Sequence, residues 1–251
     1  MVKGSAYQPR FYRESMGNDR WRSFRSVLKE TDLWVAVDAG KYDRSIEGFT
    51  LERIRFYRNI LDDFINKHPE FRLSLKPVKI TEGTHPLILD MGRAADNAGT
   101  GPMSAVAGAV AEYICNDLIR EFGLNEVIIE NGGDIFMKLA SPATISVYAG
   151  SSPLSEKISL VISPEETPLA ICTSSGKLGH SLSLGKADAC TIACHSGALA
   201  DAYATAFCNE VKSNDMVLGV TEKALKKPEI LSVIIIMDDK VGLGGTLQIK
   251  I

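Results

Sequence analysis

Apolar and polar residues alternate from Trp21 to Leu28 and again from Leu33 to Val37, with Glu30-Thr31-Asp32 between the two runs. A period of two around a polar turn predicts a β-hairpin. From Ser45 onward Ile46, Phe49, Ile54, Phe56/Tyr57, Ile60/Leu61, Phe64 and Ile65 recur at three- and four-residue steps, which predicts an amphipathic helix ending before Pro69. Short apolar runs at Leu73–Ile80 and Leu87–Met91 read as strands, followed by the turn Gly99-Thr100-Gly101-Pro102. Proline then opens a helix over Met103–Phe122, and Gly123 closes it. The first half of that helix carries Ala105, Ala107, Gly108, Ala109 and Ala111, so its backbone can approach a sheet or a ligand closely.

Glu126–Glu130 and Ile135–Leu139 read as strands joined by the tight turn Asn131-Gly132-Gly133-Asp134. Further strands are expected at about 143–149, 157–163 and 169–174, and along Ser181–Cys194 with an interruption at Gly185. Ser196 caps a helix running from Gly197 to about Val211, and another helix covers roughly Met216 to Lys227. A final hairpin is expected from Ile230–Met237, Asp238-Asp239 and a Gly242-Leu243-Gly244-Gly245 segment ahead of Thr246–Ile251. Runs of antiparallel strands separated by a few long helices predict an α+β fold. No linker or low-complexity tract divides the 251 residues, so one domain over 1–251 is expected.

The 28 Lys and Arg against 31 Asp and Glu leave a net charge of −3, without a single-sign run long enough to track a phosphate backbone, which argues against nucleic acid as a partner. The first thirty residues are locally basic, and with Tyr12 and Trp21 they allow either a nucleic-acid arm or a solvated strand face. The start of the chain has no apolar stretch of the secretory kind, and Met103–Ala111 is about half the length needed to cross a bilayer. A cytoplasmic protein without a membrane span is expected, with self-association left open. Five cysteines at 115, 172, 190, 194 and 208 form neither a disulfide framework nor a CxxC site. Cys190, Cys194 and His195 could ligate a metal, but Cys190 and Cys194 share one face of a strand-like stretch, where thiols usually act as small core residues.

Asp201 is the most informative position. It sits about one turn inside the Gly197–Cys208 helix among alanines and aromatic residues, where an isolated carboxylate must meet a cation, a donor cluster or a metal. Thr205, four residues on, shares its face. Two hard oxygens at this spacing suit Mg²⁺, which takes one or two protein oxygens and fills its other positions from backbone, water or phosphate. The alternative is structural: Asp201 accepts from backbone amides and Thr205 bonds its own helix. Asn131-Gly132-Gly133-Asp134 permits positive φ at two successive residues and bare amides facing a diphosphate, and is equally ordinary hairpin chemistry. Thr173-Ser174-Ser175-Gly176 offers three hydroxyls at a strand end, as phosphate donors or as a turn. His180 follows closely, whereas His68 and His85 precede prolines and look like loop residues. Rossmann, Walker A and serine-hydrolase signatures are absent.

The order of these pieces resembles the ApbE-like superfamily, the FAD:protein FMN transferases also known as thiamine-biosynthesis lipoprotein-like proteins. The pieces are the small-residue helix after a glycine turn, strand–NGGDI, TSSGKLGH and the ADAYATAF helix. The likeness covers about residues 90–210 and points to an uncharacterised branch without the lipoprotein signal. It implies that Asp201 and Thr205 are Mg²⁺ ligands, together with a backbone carbonyl from the start of the Met103–Ala109 helix. It also implies that Asn131, Gly132, Gly133, Asp134, Thr173, Ser174, Ser175 and Gly176 line an FAD site, with His180 beside it. The implied chemistry is FMN transfer from FAD to a threonine of an acceptor protein, or FAD hydrolysis to FMN and AMP. A flavin or nucleotide binder without turnover and an assembly protein on the same fold are the other readings. The chain lacks the lysine of the family's Gly-Gly-Ile-Ala-Lys-Gly helix start, and Ser181-Leu-Ser-Leu-Gly-Lys-Ala stands where an Ile-Asp-Pro-x-Thr-Gly segment is usual.

Overall fold

The computed structural model describes residues 19–81, 83–177 and 184–251. β1 (Trp21–Leu28) and β2 (Thr31–Asp38) form the expected opening hairpin, with Leu28 opposite Thr31. α1 (Ser45–Lys67) follows, with Ile46, Thr50, Ile54, Tyr57 and Leu61 buried along one stripe, and a short α2 (Pro69–Leu73) turns the chain.

The apolar run Leu87–Met91 belongs to a helix, α3 (Pro86–Ala98), where a strand was expected. A short apolar run has no decisive period, and here local chemistry settles it. Pro86 occupies the first helical position, the His85 imidazole accepts from the Leu87 amide at 3.2 Å, and Gly99 closes the helix at φ 72°. The strand expected at Leu73–Ile80 is also absent, because after α2 that segment runs as irregular chain. A single 3₁₀ turn (Pro102–Ala105) leads into α4 (Val106–Phe122), which ends at left-handed Gly123.

β3 (Val127–Asn131) and β4 (Asp134–Lys138) close on the two-glycine turn, followed by β5 (Ala143–Ser146), β6 (Ser159–Ile162) and β7 (Leu169–Ser174). The strand expected from Ser181 narrows to β8 (Ala189–Cys194); 184–188 is irregular and 181–183 lies outside the described residues. α5 (Gly197–Glu210) starts at Ser196, whose hydroxyl accepts from the Leu199 amide. α6 is shorter than expected, Val217–Ala224 after a 3₁₀ turn. In the last hairpin the returning strand is the glycine-rich segment itself, β10 (Lys240–Gly245), paired with β9 (Ser232–Met237). β11 (Gln248–Lys250) leaves to pair with β6 in a different sheet. Gly242 and Gly244 lie within β10 where α6 packs closely on it: a Cβ at Gly242 would meet the Thr221 hydroxyl at 2.2 Å.

Among the described residues the main sheet is eight antiparallel strands in the order β1-β2-β3-β4-β7-β8-β9-β10, and a three-stranded sheet has the order β11-β6-β5. Alternate residues of the large sheet divide into two apolar layers. Val35, Val127, Ile129, Phe136, Cys172 and Ile192 face the helices, while Trp34, Ile128, Ile135, Ile171 and Ile234 face the small sheet. The molecule is therefore layered as helices, large sheet and small sheet, confirming the α+β reading. Within the large sheet two hairpin–helix–hairpin units lie side by side and meet at β4 and β7, with α4 and α5 crossing above that junction. Among the described residues no helix is long and apolar enough to cross a membrane.

Candidate functional site

At the helix crossing α4 and α5 touch backbone to backbone. A Cβ on Gly108 would stand 2.2 Å from the Gly197 carbonyl oxygen, and one on Gly197 would stand 2.3 Å from that of Gly108. Each helix also extends a carboxylate to the other. The Gly108 amide donates to Asp201 Oδ2 at 2.9 Å, and the Gly197 amide donates to Glu112 Oε2 at 2.7 Å. Gly108 and Glu112 are four residues apart, as are Gly197 and Asp201, so the two contacts are reciprocal across one crossing. Both amides lie in the first turn of their helix and lack an intrahelical partner, which a carboxylate supplies together with favourable interaction with the helix dipole.

The β3–β4 turn sits against the start of α4. Asn131 Nδ2 donates to the Ala107 carbonyl at 3.1 Å, which fixes the turn relative to the helix. Gly132 and Gly133 adopt φ of 72° and 102°, the two successive positive values expected of this sequence, and the Gly133 amide donates to Glu130 Oε1 at 2.7 Å. Gly133 also approaches the Thr173 carbonyl, and Asp134 is registered opposite Cys172. The turn, the end of β7, the start of α4 and the Asp201 face of α5 thus converge.

Electrostatics at this point are unusual. Burial pushes the Asp201 carboxyl up to about 7, opposed by the amides of Gly108 and Ala107. Asp134 is raised well above the ordinary carboxylate range, first by burial and then by the Asp201 charge, with the Cys172 thiol and the Thr173 amide acting against the rise. Among the described residues, the buried Asp134 Oδ1 has no hydrogen-bond partner. Glu112 is also raised, by burial, against the Gly197 amide.

Asn131, Gly133, Asp134 and Asp201 are therefore brought together, and Thr205 lies one turn beyond Asp201, half-buried. The Thr173–Gly176 segment divides. Ser174 is buried on the helix-facing side of β7, whereas the Thr173 hydroxyl bonds the Thr191 hydroxyl at 2.8 Å on the side facing the small sheet. Ser175 Oγ accepts from the Lys177 amide at 3.1 Å, and the Gly176 amide donates to the Ala187 carbonyl at 2.9 Å, so these two residues build the turn that leaves the strand. His180 lies outside the described residues. Glu112, Glu130 and Cys172 were not singled out from the sequence. The signal for Glu112 was present in the shared four-residue spacing from a glycine, which becomes meaningful only once α4 and α5 are known to cross.

The structural reading of Asp201 holds for one oxygen, which accepts from Gly108. A hard divalent cation also fits the donor set: carboxylates at Asp134 and Asp201, a hydroxyl at Thr205, and a buried carboxylate oxygen without a partner among the described residues. Among the described residues no group of three or more His, Cys, Asp or Glu gathers as a metal cage, so such a cation would draw on few protein ligands, as Mg²⁺ usually does. Cys190 and Cys194 serve as core residues. Burial raises both thiols, opposing the thiolate form a metal would need, and His195 Nδ1 bonds the Pro168 carbonyl at 3.0 Å.

A family model described as AbpE bacteria matches residues 13–229. Among curated relatives, a UPF0280 protein of Methanocaldococcus jannaschii is 34% identical over 232 residues, covering 90% of this chain and 92% of its own. A UPF0280 protein of Methanospirillum hungatei is 44% identical over 182 residues, 72% of each chain. Among solved structures, the ApbE protein of Thermotoga maritima superimposes with a TM-score of 0.60 at 14% identity, over 88% of this chain and 96% of that one. The apo flavinyl transferase ApbE of Pseudomonas stutzeri gives 0.57 at 12%, over 90% and 94%. These two establish a shared fold.

Proposed function

The chain belongs to the ApbE-like superfamily, in the family described as AbpE bacteria, and on that premise we propose that it binds a flavin nucleotide and catalyses Mg²⁺-dependent cleavage of the FAD diphosphate. FMN would pass to a threonine of an acceptor protein or to water, with AMP released. The observation that carries this reading is the convergence of the two-glycine turn, the start of α4 and the buried carboxylate of Asp201 at one point.

The residues divide the work by their chemistry. In the reaction an acceptor oxygen forms a bond to the FMN phosphorus, the bridging P–O bond breaks toward AMP, and the acceptor proton leaves to a base or water. Gly132 and Gly133, without side chains, let the β3–β4 turn come close to a phosphate, and Asn131 holds that turn rigidly on α4. Asp201 and Thr205 would hold Mg²⁺, which when bound offsets the negative charge developing on the phosphoryl oxygens. Ser174 would contribute a hydroxyl from the helix-facing side of β7, and His180 would lie beside the flavin.

The test is incubation of the protein with FAD, with Mg²⁺ or with EDTA, following AMP and FMN by chromatography. Asp201→Asn is the informative variant, because an amide oxygen can still accept from Gly108 while the charge is gone. Metal-dependent AMP release by the wild type and its loss in Asp201→Asn are expected. FAD binding without AMP, tested with water and with threonine-bearing acceptors, would favour a non-catalytic flavin binder, a second reading supported by the missing lysine and Asp-Pro-x-Thr-Gly segment. Absence of flavin binding would refute both.

A further inference from the structure

Asp134 opens β4 directly after the two-glycine turn, and the sequence pattern around it is that of a flavin-contacting loop. Its surroundings suggest another role. In the alternation of β4 it falls on the same side as Phe136, toward the helices, and it is registered opposite Cys172 on β7. Cys172 Sγ in turn lies 3.8 Å from the Gly197 carbonyl, one helical turn before Asp201. The strand therefore aims Asp134 at the underside of α5, where Asp201 projects. Asp134 is 7% exposed and Asp201 9%, and the contacts that satisfy them are neutral: a thiol and backbone amides.

Two carboxylates buried against each other repel, and an unpaired oxygen adds its own desolvation cost. Asp134 Oδ1 is such an oxygen, buried, without a partner among the described residues and beside the second carboxylate. A divalent cation seated between them would turn the repulsion into attraction and satisfy the orphan oxygen, whereas a flavin phosphate there would add a third negative group. Thr205, one turn beyond Asp201 on the same helical face, would supply a further oxygen.

We propose that Asp134 is itself a ligand of the divalent cation, through Oδ1, so that β4 and α5 form a two-carboxylate seat that takes up Mg²⁺ or Mn²⁺ before any flavin arrives. This rests on the proposed metal-dependent function and adds to it a residue and an order of binding. The cation loads first, and the diphosphate then meets a site already neutralised.

Mn²⁺ titration of the full chain in the absence of flavin, followed by the electron paramagnetic resonance signal of the free ion, tests this directly. One Mn²⁺ per chain is expected, with affinity at least tenfold weaker in both Asp134→Asn and Asp201→Asn. Thermal melts give a second readout. Asp134→Asn should lose the rise in melting temperature that Mg²⁺ gives the wild type. If Asp134→Asn fails to fold, Asp134→Ser carries the same test. Mn²⁺ binding by the Asp134 variant at wild-type affinity, with binding lost only in Asp201→Asn, would overturn the inference and leave the function standing. Uptake of Mn²⁺ by the wild type only when FAD is present would do the same, and no uptake under either condition would remove both.

Discussion

Replacing Gly108 with alanine tests the helix crossing on which the site depends. The new Cβ would lie 2.2 Å from the Gly197 carbonyl oxygen, 2.8 Å from its carbon and 2.9 Å from the Asp201 Cβ. Both neighbours at 2.2 and 2.8 Å are backbone atoms of the facing helix, so no rotamer change relieves the clash and the helices must separate by roughly 1 Å to reach ordinary contact. Overpacking of this kind costs about 1–3 kcal/mol. Separation also stretches the Gly108–Asp201 and Gly197–Glu112 bonds, and weakening a bond to a buried carboxylate costs about 1.5–3 kcal/mol. The helix propensity of alanine returns at most about 1 kcal/mol. The net loss is about 1.5–5 kcal/mol, which for a chain of this size lowers Tm by roughly 3–20 °C. Urea denaturation with an unchanged m-value and calorimetry would measure it. Gly48→Ala is the control: Gly48 lies within α1 with nothing among the described residues within 4 Å of its added Cβ, so stability should rise by up to about 1 kcal/mol. Because Gly108→Ala and Gly197→Ala relieve themselves by the same separation, the double variant should cost less than the sum of the singles. A Gly108→Ala protein as stable as the wild type, with Gly48→Ala gaining as expected, would refute the close crossing.

Three further outcomes follow from other parts of the fold. Glu126 is buried and accepts from Arg20, the Trp21 indole and the Ala140 and Ser141 amides; burial alone would raise its pKa, but these partners hold it below the ordinary glutamate value. Its contribution is therefore present above about pH 4.5 and lost as pH falls through its folded pKa, so Glu126→Gln should cost about 2–4 kcal/mol at pH 7 and converge with the wild type in acid urea titrations. Asn131→Asp removes the donor to the Ala107 carbonyl and buries another charge near Asp134 and Asp201; a loss of about 2–4 kcal/mol by urea denaturation is expected at pH 7, and wild-type stability would contradict the turn anchor. Asp117 accepts from Arg53 Nε and the Tyr57 hydroxyl, each at 2.6 Å, and from Arg120, so Asp117→Ala should lower Tm by several degrees through uncoupling α1 from α4; an unchanged melt would show that these bonds add nothing.

The legibility of the chain followed the range of the interactions involved. Where a signal is local, sequence sufficed: the β1–β2 hairpin, the two-glycine turn, the Ser196 cap and the stripe of α1 all follow from neighbours within a few positions. It failed at Leu87–Met91, whose apolar run suits either strand or helix until Pro86 and the His85 cap are weighed. It is silent at the chain's end on why Gly242 and Gly244 stand in a strand, since the helix that presses on them there, α6, is brought to them by the fold.

The candidate site divides in the same way. Residue identity and spacing alone determined that Asp201 needs a partner, that Thr205 shares its face and that Gly132 and Gly133 can turn tightly, since these are properties of one helix and one turn. Only the tertiary structure decided what meets Asp201. Gly108 lies 93 positions away, and its amide comes within reach of the Asp201 carboxylate only because two helices cross at glycines. The orphan oxygen of Asp134 likewise exists only in the assembled fold, where sheet alternation and helix packing bury one carboxylate against another. Burial and long-range pairing are collective properties of the packed chain, and the energies that perturb a carboxylate are set there.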